Sequence, residues 1–175
     1  MKNFIGILLI VFTTVTHSQN GFKLVDNNLT WQKVFNDSIE AQELIKDLKT
    51  AKGFIFADPK ENTYTFSKSF EPLGLKKHGY IKSKYPWYVA SDGEAKGYIE
   101  FKEKRYRVTV TSIKIYAPFM VGLEVSDELK LENITYYVAK KDKIKTNKAT
   151  TKVLALYDTF FNDLFTKDPV KTDDW

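Results

Sequence analysis

The sequence predicts an α+β domain, a curved antiparallel β-sheet packed against two helices. Three observations carry that expectation. Ala95–Tyr116 alternates apolar and polar residues on either side of a short break, as a half-buried hairpin does. Ala41, Leu44, Ile45 and Leu48 recur at i, i+3, i+4 and i+7, and Val153, Leu156, Tyr157, Phe160 and Leu164 form a second stripe of that kind. Further alternating runs, led by Leu29–Phe35 and Thr63–Phe70, supply more strands.

Residues 1–18 stand apart from the domain. Lys2 gives a positive start, Phe4–Phe12 is an apolar run too short to span a bilayer, and Thr16 and Ser18 are small residues at cleavage spacing. This is the pattern of a secretory signal peptide cleaved after Ser18. It leaves 19–175 as a single domain, expected to be periplasmic or secreted. No later segment is apolar and long enough for a transmembrane helix. The removed piece carries one charge, Lys2, of a net +5, so the remaining balance is mildly basic.

The 175 residues contain no cysteine, which excludes disulfides, thiolate chemistry and lipid attachment at a signal-peptide cysteine. The core must therefore hold itself together. A lysine-rich, cysteine-free exported chain suits a Gram-negative envelope.

Taken in order, Gln19–Asn27 reads as a ragged lead-in, and Leu29–Phe35 as a strand with Leu29, Trp31 and Phe35 on one face. Asp37 is placed to cap the first helix, with Glu40 completing a capping box, and Gly53 to stop it. Gly53–Ala57 is a short strand. The Asp58-Pro59 turn leads to Thr63–Phe70, where Tyr64, Phe66 and Phe70 share a side. Glu71–Glu94 is either a functional loop or hides a strand over Tyr80–Tyr88, because a structureless stretch of that length is unusual inside a small domain.

In the central hairpin, a two-residue turn at Glu103-Lys104 sets Phe101 opposite Tyr106, Ile99 opposite Val108 and Gly97 opposite Val110 on an apolar face. Glu100 with Arg107 and Tyr98 with Thr109 fall on the polar face. Two features oppose this register: Glu-Lys is not a favoured turn pair, and Lys102 meets Arg105, a like charge. Beyond Val110 the apolar parity switches to Ile113 and Ile115, which requires a bulge near Thr111 or Ser112 and bends the strand. Ala117–Glu132 reads as irregular and acidic. Ile134, Tyr136 and Val138 alternate as a last strand, Lys140–Lys152 is lysine-rich, and the second helix ends before Pro169.

Chemistry is sparse. Outside the signal peptide the only histidine is His78, and one imidazole without partners is an exposed loop residue rather than a metal ligand. No calcium loop, Walker pattern, dinucleotide fingerprint or Gly-x-Ser-x-Gly elbow is present, so no metal, cofactor or catalytic residue is assigned. A carboxylate pair could be drawn from Asp92, Glu94 and Glu100, but Arg107 across the strand explains Glu100 better. Asn28-Leu-Thr30, Asn36-Asp-Ser38 and Asn133-Ile-Thr135 match the glycosylation pattern, which a bacterial chain does not normally use.

Two constellations remain. Tyr85, Trp87 and Tyr88, with Tyr80 and Trp31 as possible neighbours, are either an exposed ligand-binding cluster or a lid over the core. The lysines from Lys140 to Lys152 are a solvated loop or a contact for anionic surfaces.

Trp31-Gln-Lys-Val-Phe35 before a helix, the strand pair holding Gly97-Tyr-Ile-Glu-Phe101 and Arg105-Tyr-Arg107, the helix over 154–165 and the terminal Asp173-Asp174-Trp175 together resemble a family. It is a family of exported bacterial proteins of unknown function with a TATA-binding-protein-like fold. The likeness covers most of the chain after the signal peptide and departs from the family over 71–94 and at Glu103-Lys104. It implies a curved antiparallel sheet against helices and no activity. An exported protein meets no chromosomal DNA, so no nucleic-acid partner is expected. The expected function is a non-catalytic envelope or secreted binding domain for a small ligand, peptide or protein. The alternative is a carboxylate-based hydrolase of envelope glycans or peptides.

Overall fold

The computed structural model describes residues 20–37, 39–71, 84–121 and 124–166. Its centre is the expected hairpin. Strands β5 (Gly93–Lys102) and β6 (Arg105–Val121) pair antiparallel in the anticipated register, Phe101 with Tyr106, Ile99 with Val108 and Glu100 with Arg107. Lys104 takes a left-handed φ of 56°, a conformation in which a lysine is strained, so the turn closes despite its residues. Opposite β5, the partner of Lys96 is Ser112 and that of Gly97 is Val110, which makes Thr111 the extra, bulged residue. The bulge lets Val108, Val110, Ile113 and Ile115 all be buried although their parity changes.

Around this pair the sheet grows to seven antiparallel strands in the order β1-β2-β6-β5-β4-β3, where β1 is Phe22–Val25, β2 Asn28–Phe35, β3 Ile55–Phe56 and β4 Thr63–Phe70. Strand β6 is long enough to hold two partners along one edge. Its first part pairs β2 and its last part pairs β7 (Glu124–Asn133). The segment 117–132, expected to be irregular, is thus mostly strand. Its charges and Pro118 mask the alternation, and the register jumps after Pro118, a residue with no N–H for the ladder.

The lead-in is ordered too. Phe22 pairs Trp31, and Asp26 and Asn27 (φ 48° and 59°) form the two-residue turn that a tight hairpin favours. The fully buried Phe22 anchors it.

Helix α1 (Ala41–Lys52) buries Leu44, Ile45 and Leu48, and Gly53 ends it at φ 64°, as expected. The expected capping box is absent: Glu40, not Asp37, is the N-cap residue, and its side chain makes no capping hydrogen bond. The run Ile134, Tyr136, Val138 is not a strand either. Thr135–Val138 forms one helical turn, α2, because Asn133 Oδ1 accepts from the Thr135 amide (2.9 Å) and hydroxyl (2.6 Å). Ile134 and Val138, four apart, then point inward together, while Tyr136 is 76 % exposed. Ala139–Lys140 (β8) and Lys143–Ile144 (β9) form a small hairpin within the lysine-rich segment.

Helix α3 (Lys148–Phe165) is capped by Asn147, whose side chain accepts from the Thr150 amide at 2.9 Å. Its stripe is wider than expected, since Leu154, Phe161 and Phe165 are buried as well. The helices α1 and α3 join Trp31, Phe66, Ile99, Tyr106 and Val108 in one core. Trp31 is fully buried there, with its indole N–H donating to Asp158 at 2.8 Å and its ring against Phe161 and Phe165. Tyr106 Oη donates to the Phe165 carbonyl at 2.6 Å, tying the sheet to the end of α3. There Lys52 Nζ also donates to the carbonyls of Asp163, Leu164 and Thr166 at 2.9, 2.9 and 3.0 Å.

Candidate functional site

Of the three aromatic residues singled out in the sequence, Trp87 and Tyr88 open one short element, the 3-10 turn Trp87–Ala90, and Tyr85 lies two residues before it. Pro86 precedes it, with its carbonyl accepting from the Val89 amide at 3.2 Å. The strand considered over Tyr80–Tyr88 is therefore not present at its C-terminal end. His78 and Tyr80 lie outside the described residues.

The turn divides the cluster. Tyr88 (6 % exposed) and Val89 point into the core, Tyr85 is half-buried against it, and Trp87 is 50 % exposed. The cluster gains one member that the sequence reading did not single out, Tyr137 of α2. Its ring stacks on Tyr88 (4.6 Å, 24°) and meets Trp87 edge to face (5.6 Å, 89°). Trp87 also meets Tyr88 edge to face at 6.0 Å. The helical turn is what places Tyr137 there, so a strand reading with Tyr136 turned inward could not find it. Trp31, weighed as a neighbour, belongs to the main core instead.

Tyr137 is fixed at both ends. Its hydroxyl donates to Glu132 Oε2, and its carbonyl accepts from Lys145 Nζ at 2.7 Å. Burial and then the Glu132 carboxylate push the Tyr137 phenol well above its ordinary range, so it remains a proton donor. Burial also raises Tyr88. The pair offers stacked ring faces and no titrating group near neutral pH.

The carboxylate candidates do not form a comparable centre. Glu100 receives two hydrogen bonds from Arg107, Nε to Oε2 and Nη2 to Oε1, both 2.8 Å. That guanidinium holds the Glu100 carboxyl below its usual range. Glu94 pairs across the sheet with Lys114 on one side and Ser69 on the other. Among the described residues, no group of three or more His, Cys, Asp or Glu could hold a metal ion, and no helix is long and apolar enough to cross a membrane.

No protein-family model matches the chain, and no curated protein matches it. Two solved structures are similar to it. One is a TBP-like protein from Parabacteroides distasonis, with 11 % identity over 81 % of this chain and 93 % of the other, at a TM-score of 0.49. The second is a DUF4468 family protein from Bacteroides ovatus, with 13 % identity over 86 % and 94 % of the two chains, at a TM-score of 0.46.

Proposed function

We propose that this chain is an exported, non-catalytic binding domain whose contact surface centres on Trp87. The observation that carries the reading is one half-exposed indole held edge-on by two rings, Tyr88 and Tyr137, that are themselves anchored. An aromatic face held rigidly at the surface loses little conformational entropy when a sugar ring, a peptide side chain or a protein surface settles on it. The signal-peptide pattern in residues 1–18 supports a place in the envelope or outside the cell. The hydrolase alternative draws no support from Glu100, because a general acid needs a raised pKa and Arg107 lowers this one.

The test separates Trp87 from its supports. Trp87→Ala loses two edge-to-face contacts, worth about 1–2 kcal/mol, and leaves a folded domain. Tyr88→Ala removes a buried ring and costs about 3–5 kcal/mol. Glycan and peptide arrays probed with the wild type and with Trp87→Ala then report the surface directly. Array binding that survives Trp87→Ala removes the site from consideration, and unfolding by Trp87→Ala makes the indole a core residue.

A further inference from the structure

A second feature lies on the face of the sheet turned away from α1 and α3, remote from the proposed aromatic surface. On this face the hairpin register sets Glu100 opposite Arg107 and, next to the turn, Lys102 opposite Arg105. Both Glu100 carboxylate oxygens accept from Arg107. Lys102 and Arg105 are both exposed and make no side-chain hydrogen bond or ion pair among the described residues. Directly opposed like charges weaken a strand pair, and the nearest relief is the Glu100 carboxylate, which attracts Lys102 through space while bonded to Arg107. The same side chains rim a depression of about 180 Å³, with Val34 (48 % exposed) and Arg107 along its side. The lining sets three cations, Lys102, Arg105 and Arg107, against one carboxylate, Glu100, and so keeps an uncompensated net charge of 3 − 1 = +2.

We propose that this depression binds a phosphate group, with Lys102 and Arg105 as direct ligands and Arg107, positioned by Glu100, beside them. A dianion matches the uncompensated charge, whereas a carboxylate matches half of it. The planar fork of Arg105 suits two phosphate oxygens, and Lys102 serves as a point charge. Between them, an anion converts the cross-strand repulsion into attraction. The chemistry is common to a soluble phosphomonoester and to a lipid headgroup.

The experiment measures thermal unfolding of the full chain with inorganic phosphate, against chloride at matched ionic strength. Phosphate raises Tm in the wild type beyond chloride. Lys102→Gln and Arg105→Gln each leave Tm in chloride unchanged or higher, since repulsion is removed, and weaken the phosphate response about tenfold. Lys141→Gln, in the β8–β9 turn, keeps the wild-type response. Equal shifts from phosphate and chloride, or an undiminished phosphate response in both hairpin variants, would overturn the proposal. Sedimentation with phosphatidylcholine vesicles containing phosphatidic acid distinguishes the source. Binding lost in the two variants identifies a headgroup, and a phosphate response without vesicle binding identifies a soluble phosphate compound. Vesicle binding unaffected by either substitution, with no phosphate response, also refutes the assignment.

Discussion

Gly97→Ala is expected to be among the most damaging single-methyl additions in this chain. Gly97 lies in β5 between Phe66 of β4 and Val110 of β6, one step from the Thr111 bulge. A Cβ built there would stand 2.1 Å from the Thr109 carbonyl oxygen, 2.9 Å from Phe66 Cζ and 2.9 Å from Val110 Cα. Only the phenyl ring can step aside. The other two obstacles are backbone, and β6 is held on its far edge by β2 through Trp31–Val110 and Gln32–Thr109. Relief needs a strand displacement of about an ångström, at roughly 3 kcal/mol for an overpacked site. Against a typical domain stability of about 5–15 kcal/mol this is a large fraction. With a urea m-value of about 1–3 kcal/mol/M, the unfolding midpoint should fall by about 1–3 M. Adding Phe66→Leu removes only the softest contact and should not rescue the variant. A midpoint shift below about 0.3 M, or full rescue by Phe66→Leu, would show that the backbones do not approach as described.

Two further outcomes follow from the helices and the buried phenols. Asn147→Ala removes the acceptor for the Thr150 amide and should lower stability by about 1 kcal/mol, read from the urea midpoint, whereas Asn147→Asp or Asn147→Ser should retain most of it. Burial pushes the Tyr106 and Tyr157 phenols far above their ordinary 10.0, so the folded state holds protons that the unfolded state releases. The corresponding stability is complete below pH 10.0 and is lost progressively as pH rises above it. Tyrosinate absorbance from these residues should therefore appear together with loss of far-ultraviolet circular dichroism, and titration of both in a still-folded protein would contradict their burial.

The parts legible in the sequence are those where one face is dry. Alternation in Ala95–Tyr116 specified the register to the residue, because a slip would turn Ile99 and Val108 to water, and the change of parity after Val110 narrowed the bulge to Thr111 or Ser112, of which the structure has Thr111. The helical stripes and the Gly53 stop were legible for the same reason. Periodicity failed where local hydrogen bonding decided the outcome. Ile134, Tyr136 and Val138 fit a strand, yet Asn133 draws Thr135 into a helical turn and reverses which tyrosine faces inward. The ribbon of β6 and β7 was hidden by its acidic residues and Pro118, and two of its described apolar side chains, Leu129 and Leu131, are 59 % and 39 % exposed. The aromatic cluster was half legible. Trp87 and Tyr88 were visible as residues, but their division into a presented and a buried ring is set by the 3-10 turn, and Tyr137 arrives from a distant segment.

The ammonium of Lys52 closes the last turn of a helix more than a hundred positions later, donating to three of its C-terminal carbonyls. Its acceptors assemble only after both helices have docked, so the two chain ends it joins should fray as a unit. Amide exchange near 52 and near 163–166 would accordingly share one opening free energy, and neutralising that amine by acetylation would loosen both places at once.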